Sequence, residues 1–183
     1  MCVSCVICGK GLGMNISINP THLTNLTHLT NPTKHMKKVI IGSDHAGYDM
    51  KERVKKELGN EYQFIDLGTN SEESVDYPVY AEKVAKQVAV TPGAQGVVIC
   101  GSGIGVSIAA NKVHGVRAAL GYSKNAAALA RQHNNANVIA TAGREGVMDD
   151  PVEIVRTFLE TDFSGDERHA RRVKEIMDIE NHN

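Results

Sequence analysis

The stretch GVVICGSGIGVS, residues 96–107, joins a short apolar run to a turn in which every second residue is glycine. The apolar half predicts a buried β-strand that ends at Cys100, and helix-like residues 108–112 follow the glycines. A strand that leads through a glycine-rich turn into a helix directs backbone N–H groups outward at the positive end of the helix dipole. The sequence therefore predicts an anion site at residues 101–105, for a phosphate or for an oxyanion formed in a reaction.

Cys100 lies at the rim of this turn. A free cysteine is often no more than a small buried hydrophobic residue. A position directly before a helix N-terminus instead favours the thiolate form, which is the reactive one. We therefore predict that Cys100 is a base or a nucleophile beside the anion site.

Strand-like and helix-like segments alternate from Met36 onwards. The strands are short, continuous and apolar, which is typical of a parallel sheet that is covered on both faces. The predicted fold is α/β: a three-layer, doubly wound, Rossmann-like fold with a five-stranded parallel sheet and helices on both faces. Strands are predicted at 39–43, 62–67, 96–100, 116–121 and 137–141, and helices at 48–58, 77–90, 102–111, 124–133, 151–159 and 167–180.

Three polar turns follow predicted strands, at residues 43–45, 100–102 and 143–144. In a doubly wound fold, ligands bind beyond the carboxyl ends of the strands, at the point where the strand order reverses. We therefore expect these three turns to share one pocket.

The composition excludes several classes of partner. The chain has 183 residues and a formal net charge of −1, so no overall field attracts nucleic acid or a membrane surface. Aromatic residues make up 4% and tryptophan is absent, which disfavours a base-stacking surface. No apolar run approaches the roughly 20 residues of a membrane span. Unpaired cysteines are typical of a reducing compartment, so we predict a cytoplasmic protein without nucleic-acid or membrane partners.

Residues 1–35 differ in composition from the rest of the chain, with near-repeats of Thr, Leu, His and Asn. We expect them to form a disordered or loosely attached N-terminal extension, and residues 36–183 to form the functional domain. Cys2, Cys5 and Cys8 have the spacing of metal ligands, but a structural zinc site needs a fourth ligand, and only His22 could supply it across a long loop. We predict no metal site there, and the segment lacks the features of a targeting peptide.

The glycine turns do not match the known nucleotide-binding patterns. Residues 42–47 lack the Lys-Ser/Thr pair of a phosphate-binding ATPase loop. No acidic residue stands about 20 positions after the glycines of the second turn to hold a ribose. The ligand should therefore be smaller than a nucleotide. Asp44 and His45 could be a helix cap and a surface residue, but their place at a strand end favours a role in the site.

Other candidate residues carry a proton or a positive charge. His133 stands near the end of a predicted helix, where it could simply interact with the dipole, but a histidine is also the usual acid for protonating a sugar oxygen. Arg168 and Arg172 are four residues apart and share a helix face, as solvated charges or as a clamp for a phosphate dianion. Arg144 is a third candidate. Arg117 and His114 are predicted to be structural.

Five segments together resemble the type B ribose-5-phosphate isomerases, within the RpiB/LacAB sugar-phosphate isomerase family: residues 36–47, 76–78, 100–112, 131–134 and 168–172. The resemblance runs from Met36 almost to the C-terminus and excludes the first 35 residues. It implies an aldose–ketose isomerase that interconverts ribose 5-phosphate and ribulose 5-phosphate through an enediolate, without a metal or cofactor. It also implies a homodimer with the site at the interface, or a dimer of dimers.

The same resemblance implies a role for each candidate residue. Cys100 matches the base that moves a proton between C2 and C1, and His133 matches the group that opens the furanose ring. Asp44 matches a contact to the ring oxygen or hydroxyls. The anion hole comprises Gly101, Ser102, Gly103, Ile104 and Gly105, with Ser102 also at the family's hydroxyl position; the phosphate clamp comprises His45, Arg144, Arg168 and Arg172; Asn134 and Tyr77 contact hydroxyls.

Two alternatives remain open. The same chemistry could act on a 6-phosphate hexose such as allose or galactose 6-phosphate, because the length of the pocket is not visible in the sequence. A sugar-phosphate-binding regulator could have kept the pocket and lost catalysis. A binder needs arginines but no proton-transfer group, so the set formed by Cys100, Ser102 and His133 favours an enzyme.

Overall fold

The computed structural model describes residues 36–182, which comprise five strands and six helices. The strands are β1 (Lys37–Ser43), β2 (Tyr62–Asp66), β3 (Gln95–Cys100), β4 (Ala118–Leu120) and β5 (Val138–Ala142). The helices are α1 (Tyr48–Leu58), α2 (Tyr77–Val90), α3 (Ile104–Ala110), α4 (Lys124–Asn134), α5 (Pro151–Glu160) and α6 (Glu167–Asn181). A 3₁₀ turn, His45–Gly47, connects β1 to α1.

All strand pairs are parallel, and the sheet order is β2-β1-β3-β5-β4. β3 is at the centre and is buried along its whole length, as its uninterrupted apolar sequence predicts. The strand order reverses between β1 and β3, so the switch point lies where these two strands end. The predicted doubly wound, five-stranded parallel sheet is confirmed.

Two apolar layers cover the two faces of the sheet. On one face, Val54 of α1 and Phe158 of α5 pack with Ile99 of β3, and α4 joins the same cluster. On the other face, Val84 of α2 and α3 pack with Val98. Because neighbouring strand residues point to opposite faces, β3 supplies both clusters, and the three predicted layers are present.

Most element boundaries agree with the predictions, and two differences have a local cause. α3 begins at Ile104 rather than Ser102 because Gly103 is left-handed, with φ +77°, and interrupts the helix. β4 is limited to Ala118–Leu120 because the Arg117 N–H donates to the Asn137 side chain, at 2.8 Å, instead of continuing the ladder.

Residues from Met36 onwards form one compact unit. The predicted N-terminal extension, including Cys2, Cys5, Cys8 and His22, lies outside the described residues. Within the described part of the chain, no helix combines the length and the apolar composition needed to cross a membrane.

Candidate active site

The loops that follow β1, β3 and β5 meet at the carboxyl edge of the sheet. The Asp44 N–H donates to the carbonyl of Ile99 at 3.3 Å, which links the first loop to β3. The Gly143 N–H donates to the carbonyl of Cys100 at 2.7 Å, and the Arg144 N–H donates to that of Gly101 at 3.1 Å. The structure therefore brings together the three polar turns that were expected to share a pocket.

Glycine allows these loops to approach so closely. A Cβ atom at Gly143 would lie 2.7 Å from the carbonyl oxygen of Ala46, and one at Gly47 would lie 2.6 Å from that of Ile99. Both contacts are to backbone atoms, which cannot move aside without moving a whole loop. The pocket floor is therefore built from main chain, with no room for side chains between the loops.

The sulfur of Cys100 lies under the glycine-rich turn. The residue is 5% exposed, and the Gly103 N–H donates to Sγ at 3.2 Å. A donor aimed at the sulfur stabilises negative charge on it, because hydrogen bonds to ionised groups are stronger than neutral ones. The structure therefore places the sulfur of Cys100 inside the turn, with a backbone donor directed at it.

Gly103 is the residue that makes this contact possible. Its φ of +77° lies in the left-handed region, and a Cβ there would be 2.9 Å from the carbonyl carbon of Thr141. No other residue type fits both the conformation and the space. The next polar group of the turn, Ser102, is exposed, and its Oγ accepts the Ile104 N–H at 3.4 Å.

Tyr77, the first residue of α2, covers the turn from the side. A Cβ at Gly105 would be 2.7 Å from Cζ of the Tyr77 ring, so the ring rests directly on this glycine. Tyr77 is 40% exposed, which leaves its outer face open to a ligand. The structure therefore places Tyr77 beside residues 101–105.

Asp44 and His45 are both held by their own neighbours. Asp44 is 5% exposed, and its Oδ1 accepts the Gly47 N–H at 3.0 Å, so it is a cap as well as a candidate site residue. For His45, Val75 presents both its N–H, at 3.2 Å, and its carbonyl, at 3.3 Å, to ring Nδ1. The ring is held in either tautomer, and Nε2 takes no part in this contact.

A buried lysine behind β1 anchors the loop that holds His45. Lys51 is 2% exposed, and its Nζ donates to Asp66 Oδ2 and to the Thr69 carbonyl, both at 2.7 Å. Burial raises the pKa of Asp66, but hydrogen bonds from Lys51, Lys55 and the Gly68 N–H outweigh that effect and lower it. This ion pair fixes the start of the loop whose end carries Val75 and leads to Tyr77.

The end of α4 lies at the opposite, amino edge of the sheet. Lys37, the first residue of β1, donates from Nζ to the carbonyl of Leu159 at 3.1 Å. Arg131, near the end of α4, donates from Nε to the carbonyl of Thr161 at 3.1 Å, in the same segment. His133 and Asn134 therefore lie near the beginning of the strands, because α4 runs antiparallel to β5.

His133 belongs to a second cluster at this amino edge. Its ring centroid is 4.2 Å from that of His169, and Arg168 and Arg172 are exposed on the same helix, α6. Arg117, predicted to be structural, donates to the carbonyl of Asn134 at 3.2 Å and ends α4. A cleft of about 550 Å³ adjoins the cluster, between α6 and β4, and Asn134 lines it.

Within one chain, the candidate site residues therefore fall into two groups at opposite edges of the sheet. The seven residues of β1 span about 20 Å at roughly 3.3 Å per residue, which separates the two edges. The carboxyl edge carries Asp44, His45, Tyr77, Cys100, Gly101, Ser102, Gly103, Ile104, Gly105 and Arg144; the amino edge carries His133, Asn134, Arg168 and Arg172. Within one chain the structure does not bring the second group to Cys100.

Three contributors to the site were not found from the sequence. Lys51 lies in a charged helical segment and looks exposed, Val75 acts through main-chain atoms, and His169 follows a predicted phosphate ligand. Only the Arg168–Arg172 pattern pointed to the neighbourhood of His169. Among residues 36–182, no cluster of three or more His, Cys, Asp or Glu side chains is arranged to hold a metal ion.

A buried thiol beside a glycine-rich loop, at the switch point of a doubly wound sheet, defines an α/β enzyme that acts on a small anionic substrate. Comparison with known families is specific: the family model described as Ribose/Galactose Isomerase matches residues 39–176. The chain belongs to this LacAB/RpiB isomerase family, as its motifs indicated.

Relatives with this fold carry consistent names. The chain is 40% identical over 145 residues to ribose-5-phosphate isomerase B of Mycobacterium tuberculosis, covering 78% of this chain and 90% of the relative. A solved type B ribose 5-phosphate isomerase from Trypanosoma cruzi has a TM-score of 0.75, 45% identity and coverage of 80% and 100%. The Mycoplasma genitalium ribose-5-phosphate isomerase B, solved with bound ribulose-5-phosphate, has a TM-score of 0.76, 40% identity and coverage of 81% and 100%.

Proposed function

We propose that this protein is an aldose–ketose isomerase that interconverts ribose 5-phosphate and ribulose 5-phosphate. The observation that carries the proposal is the Gly103 N–H on the sulfur of Cys100, 3.2 Å away, inside the glycine-rich turn. A charged base and an adjoining set of amide donors are what the removal of a proton next to a carbonyl group requires. The names of the relatives support this choice of substrate.

The proposed reaction moves one proton between two carbons and one between two oxygens of the sugar, and it needs no outside reagent. The thiolate of Cys100 takes the proton from C2 of the open-chain aldose, and the carbonyl oxygen gains the negative charge of an enediolate. Backbone N–H groups of residues 101–105 would stabilise that charge, and one such donor typically contributes about 3–4 kcal/mol. The thiol then returns the proton to C1, while the hydroxyl proton on O2 passes to O1, so that C2 becomes the carbonyl carbon of the ketose.

The two groups of candidate residues can act together in one site if a second copy of the chain contributes one of the two groups. A pentose phosphate cannot bridge the height of the sheet, so His133, Asn134, Arg168 and Arg172 of one subunit would complete the Cys100 site of the other. The proposed assembly is a homodimer, or a dimer of dimers. In its support, Ile104 is 53% exposed and Ile108 is 58% exposed beside the turn, an apolar surface suited to a partner.

In such a site, His133 would protonate the ring oxygen of the furanose form while Asp44 contacts that oxygen or the hydroxyls. Arg168, Arg172 and Arg144, with His45, would bind the phosphate dianion, because guanidinium groups match its geometry. A catalytic free thiol persists in a reducing compartment, which supports a cytoplasmic location.

The deciding experiment is an isomerase assay of the full chain on ribose 5-phosphate, allose 6-phosphate and galactose 6-phosphate. Ribose 5-phosphate should be turned over fastest. The family description, which includes galactose, favours hexose 6-phosphates as the second candidate substrates. Binding of all three sugars without turnover of any would instead establish a sugar-phosphate-binding regulator.

The functional domain is proposed to be residues 36–183, with residues 1–35 as an N-terminal extension. In support, the family match begins at residue 39 and the relatives cover about four-fifths of the chain. A chain shortened to residues 36–183 should keep the isomerase activity of the full chain. A shortened chain that folds but is inactive would contradict this division.

A further inference from the structure

His169 is the one buried residue in the described part of α6. Its side chain is 4% exposed, whereas its neighbours Arg168 and Ala170 are exposed. The ring lies against that of His133, with the centroids 4.2 Å apart and the planes tilted by 37°. At this distance the His169 ring occupies part of the space into which the His133 ring would otherwise turn.

Ser164 ties this pair of rings to both helices. Its Oγ lies 2.9 Å from Nδ1 of His169, within hydrogen-bond distance. The Ser164 N–H donates to the carbonyl of Gln132 at 3.1 Å, which is the residue before His133. The two histidines are therefore held relative to each other through one short segment.

Burial and the neighbouring charges both favour the neutral form of the His169 ring. Burial lowers the pKa of His169, and the nearby His133, Arg168 and Arg172 lower it further, while Asp166 acts in the opposite direction. The Asp166 carboxylate is 3.7 Å from Nδ1.

We propose that His169 is a positioning residue that fixes the ring of His133 for opening and closing the furanose ring of the substrate. The inference rests on the proposed function, because it assigns His169 a part only in the step that His133 performs. The predicted effect is selective, because the proton transfer at Cys100 does not depend on His169. An open-chain ketose should therefore still react at Cys100 when His169 is replaced.

The test measures two reactions of the same dimeric protein. The first is conversion of ribose 5-phosphate to ribulose 5-phosphate, which needs the ring to open. The second is exchange of the C1 hydrogen of ribulose 5-phosphate with deuterated solvent, followed by NMR, which needs only the Cys100 step. His169→Ala should slow the first reaction by about 10-fold to 100-fold, the range expected for a misplaced catalytic group, and leave the second unchanged.

Arg171→Ala provides the matched control. Arg171 lies on the exposed side of α6, 62% accessible, in an ion pair with Glu175 at 3.8 Å, so its loss should change neither rate. If His169→Ala does not fold, His169→Phe keeps a ring against His133 but loses the contact with Ser164. The same selective loss, smaller in size, is then expected.

Two results would overturn the inference. The first is that either His169 variant isomerises ribose 5-phosphate at the rate of the unmodified protein. The second is that a folded, dimeric variant loses both reactions together. In both cases the proposed function would stand, because the unmodified chain isomerises. A failure of the unmodified chain to isomerise any ribose 5-phosphate would instead refute the proposed function, and the role of His169 with it.

Discussion

The backbone N–H of Gly103 points at the sulfur of Cys100 from 3.2 Å away, and the left-handed conformation of Gly103 is what turns it there. The residue that would stabilise the thiolate is therefore also the residue that ends the turn and allows α3 to begin. We therefore expect stability and catalysis to depend on the same glycine.

Replacement of Gly103 by alanine should lower both the free energy of unfolding and the isomerase rate. A left-handed alanine costs about 1–2 kcal/mol, and the added Cβ meets the Thr141 backbone at 2.9 Å. Gly93→Ala is the matched control, since Gly93 has φ +72° and nothing within 4 Å. Urea unfolding should show a larger loss for Gly103→Ala than for Gly93→Ala. Equal losses would mean that Thr141 moves aside.

Replacement of Cys100 by serine should reduce kcat by about 100-fold to 10,000-fold, the range for a removed general base, because a hydroxyl is far less acidic than a thiol. The binding of sugar phosphate should be nearly unchanged, because the amides and arginines remain. Calorimetric titration with ribose 5-phosphate, together with the rate assay, measures both effects. Substantial turnover by Cys100→Ser or by Cys100→Ala would exclude Cys100 as the base.

Mixing two inactive variants should restore activity if each site uses two subunits. In a dimer formed from Cys100→Ala and His133→Ala chains, one site carries both changes and the other carries neither. Random exchange gives half mixed dimers, each with one intact site, so about one quarter of the unmodified activity should return. The mixture is assayed after unfolding and refolding together, with each variant refolded alone as the control. No recovery in verified mixed dimers would place all the groups in one subunit.

Protonation of Asp66 should account for part of the loss of stability in acid. Despite the opposing effect of burial, hydrogen bonds from Lys51 and Lys55 lower the pKa of this carboxyl below its ordinary value. The stabilisation is therefore present above the unfolded-state pKa, about 4, and is lost as the pH falls towards the folded-state pKa. In the Asp66→Asn variant, the free energy of unfolding should decrease less steeply between about pH 5 and pH 2. Asp178→Asn, in an exposed ion pair with Lys174 at 2.7 Å, is the control and should keep the slope. An unchanged slope in Asp66→Asn would show that Asp66 does not contribute.

Much of the fold could be predicted because local signals and tertiary packing agree. α1 begins and ends at the predicted residues, since its charged amphipathic pattern ends at Gly59. α2 also has the predicted limits, because Pro92 and Gly93 prevent its continuation. The start of α3 differed by two residues, because the backbone conformation of Gly103 is set by the approach of Thr141 and not by its neighbours in sequence.

The candidate site was only partly predictable. Residues at strand ends, such as Asp44 and Cys100, follow from the topology rule for doubly wound sheets. The placement of His133 at the other edge also follows from topology, but a motif match alone does not reveal it. The burial of Lys51 could not be predicted, because a lysine in a charged helix is usually solvated and this one is buried by the loop after β2.

The peptide atoms of Val75 hold the ring of His45 whichever of its two nitrogens carries the hydrogen. With a hydrogen on Nδ1, the ring donates to the Val75 carbonyl, 3.3 Å away; without one, Nδ1 accepts the Val75 N–H, 3.2 Å away. The ring keeps its orientation in both tautomers, so Nε2 points in the same direction in each. Since only main-chain atoms of Val75 take part, the side chain at position 75 can change without releasing the ring of His45.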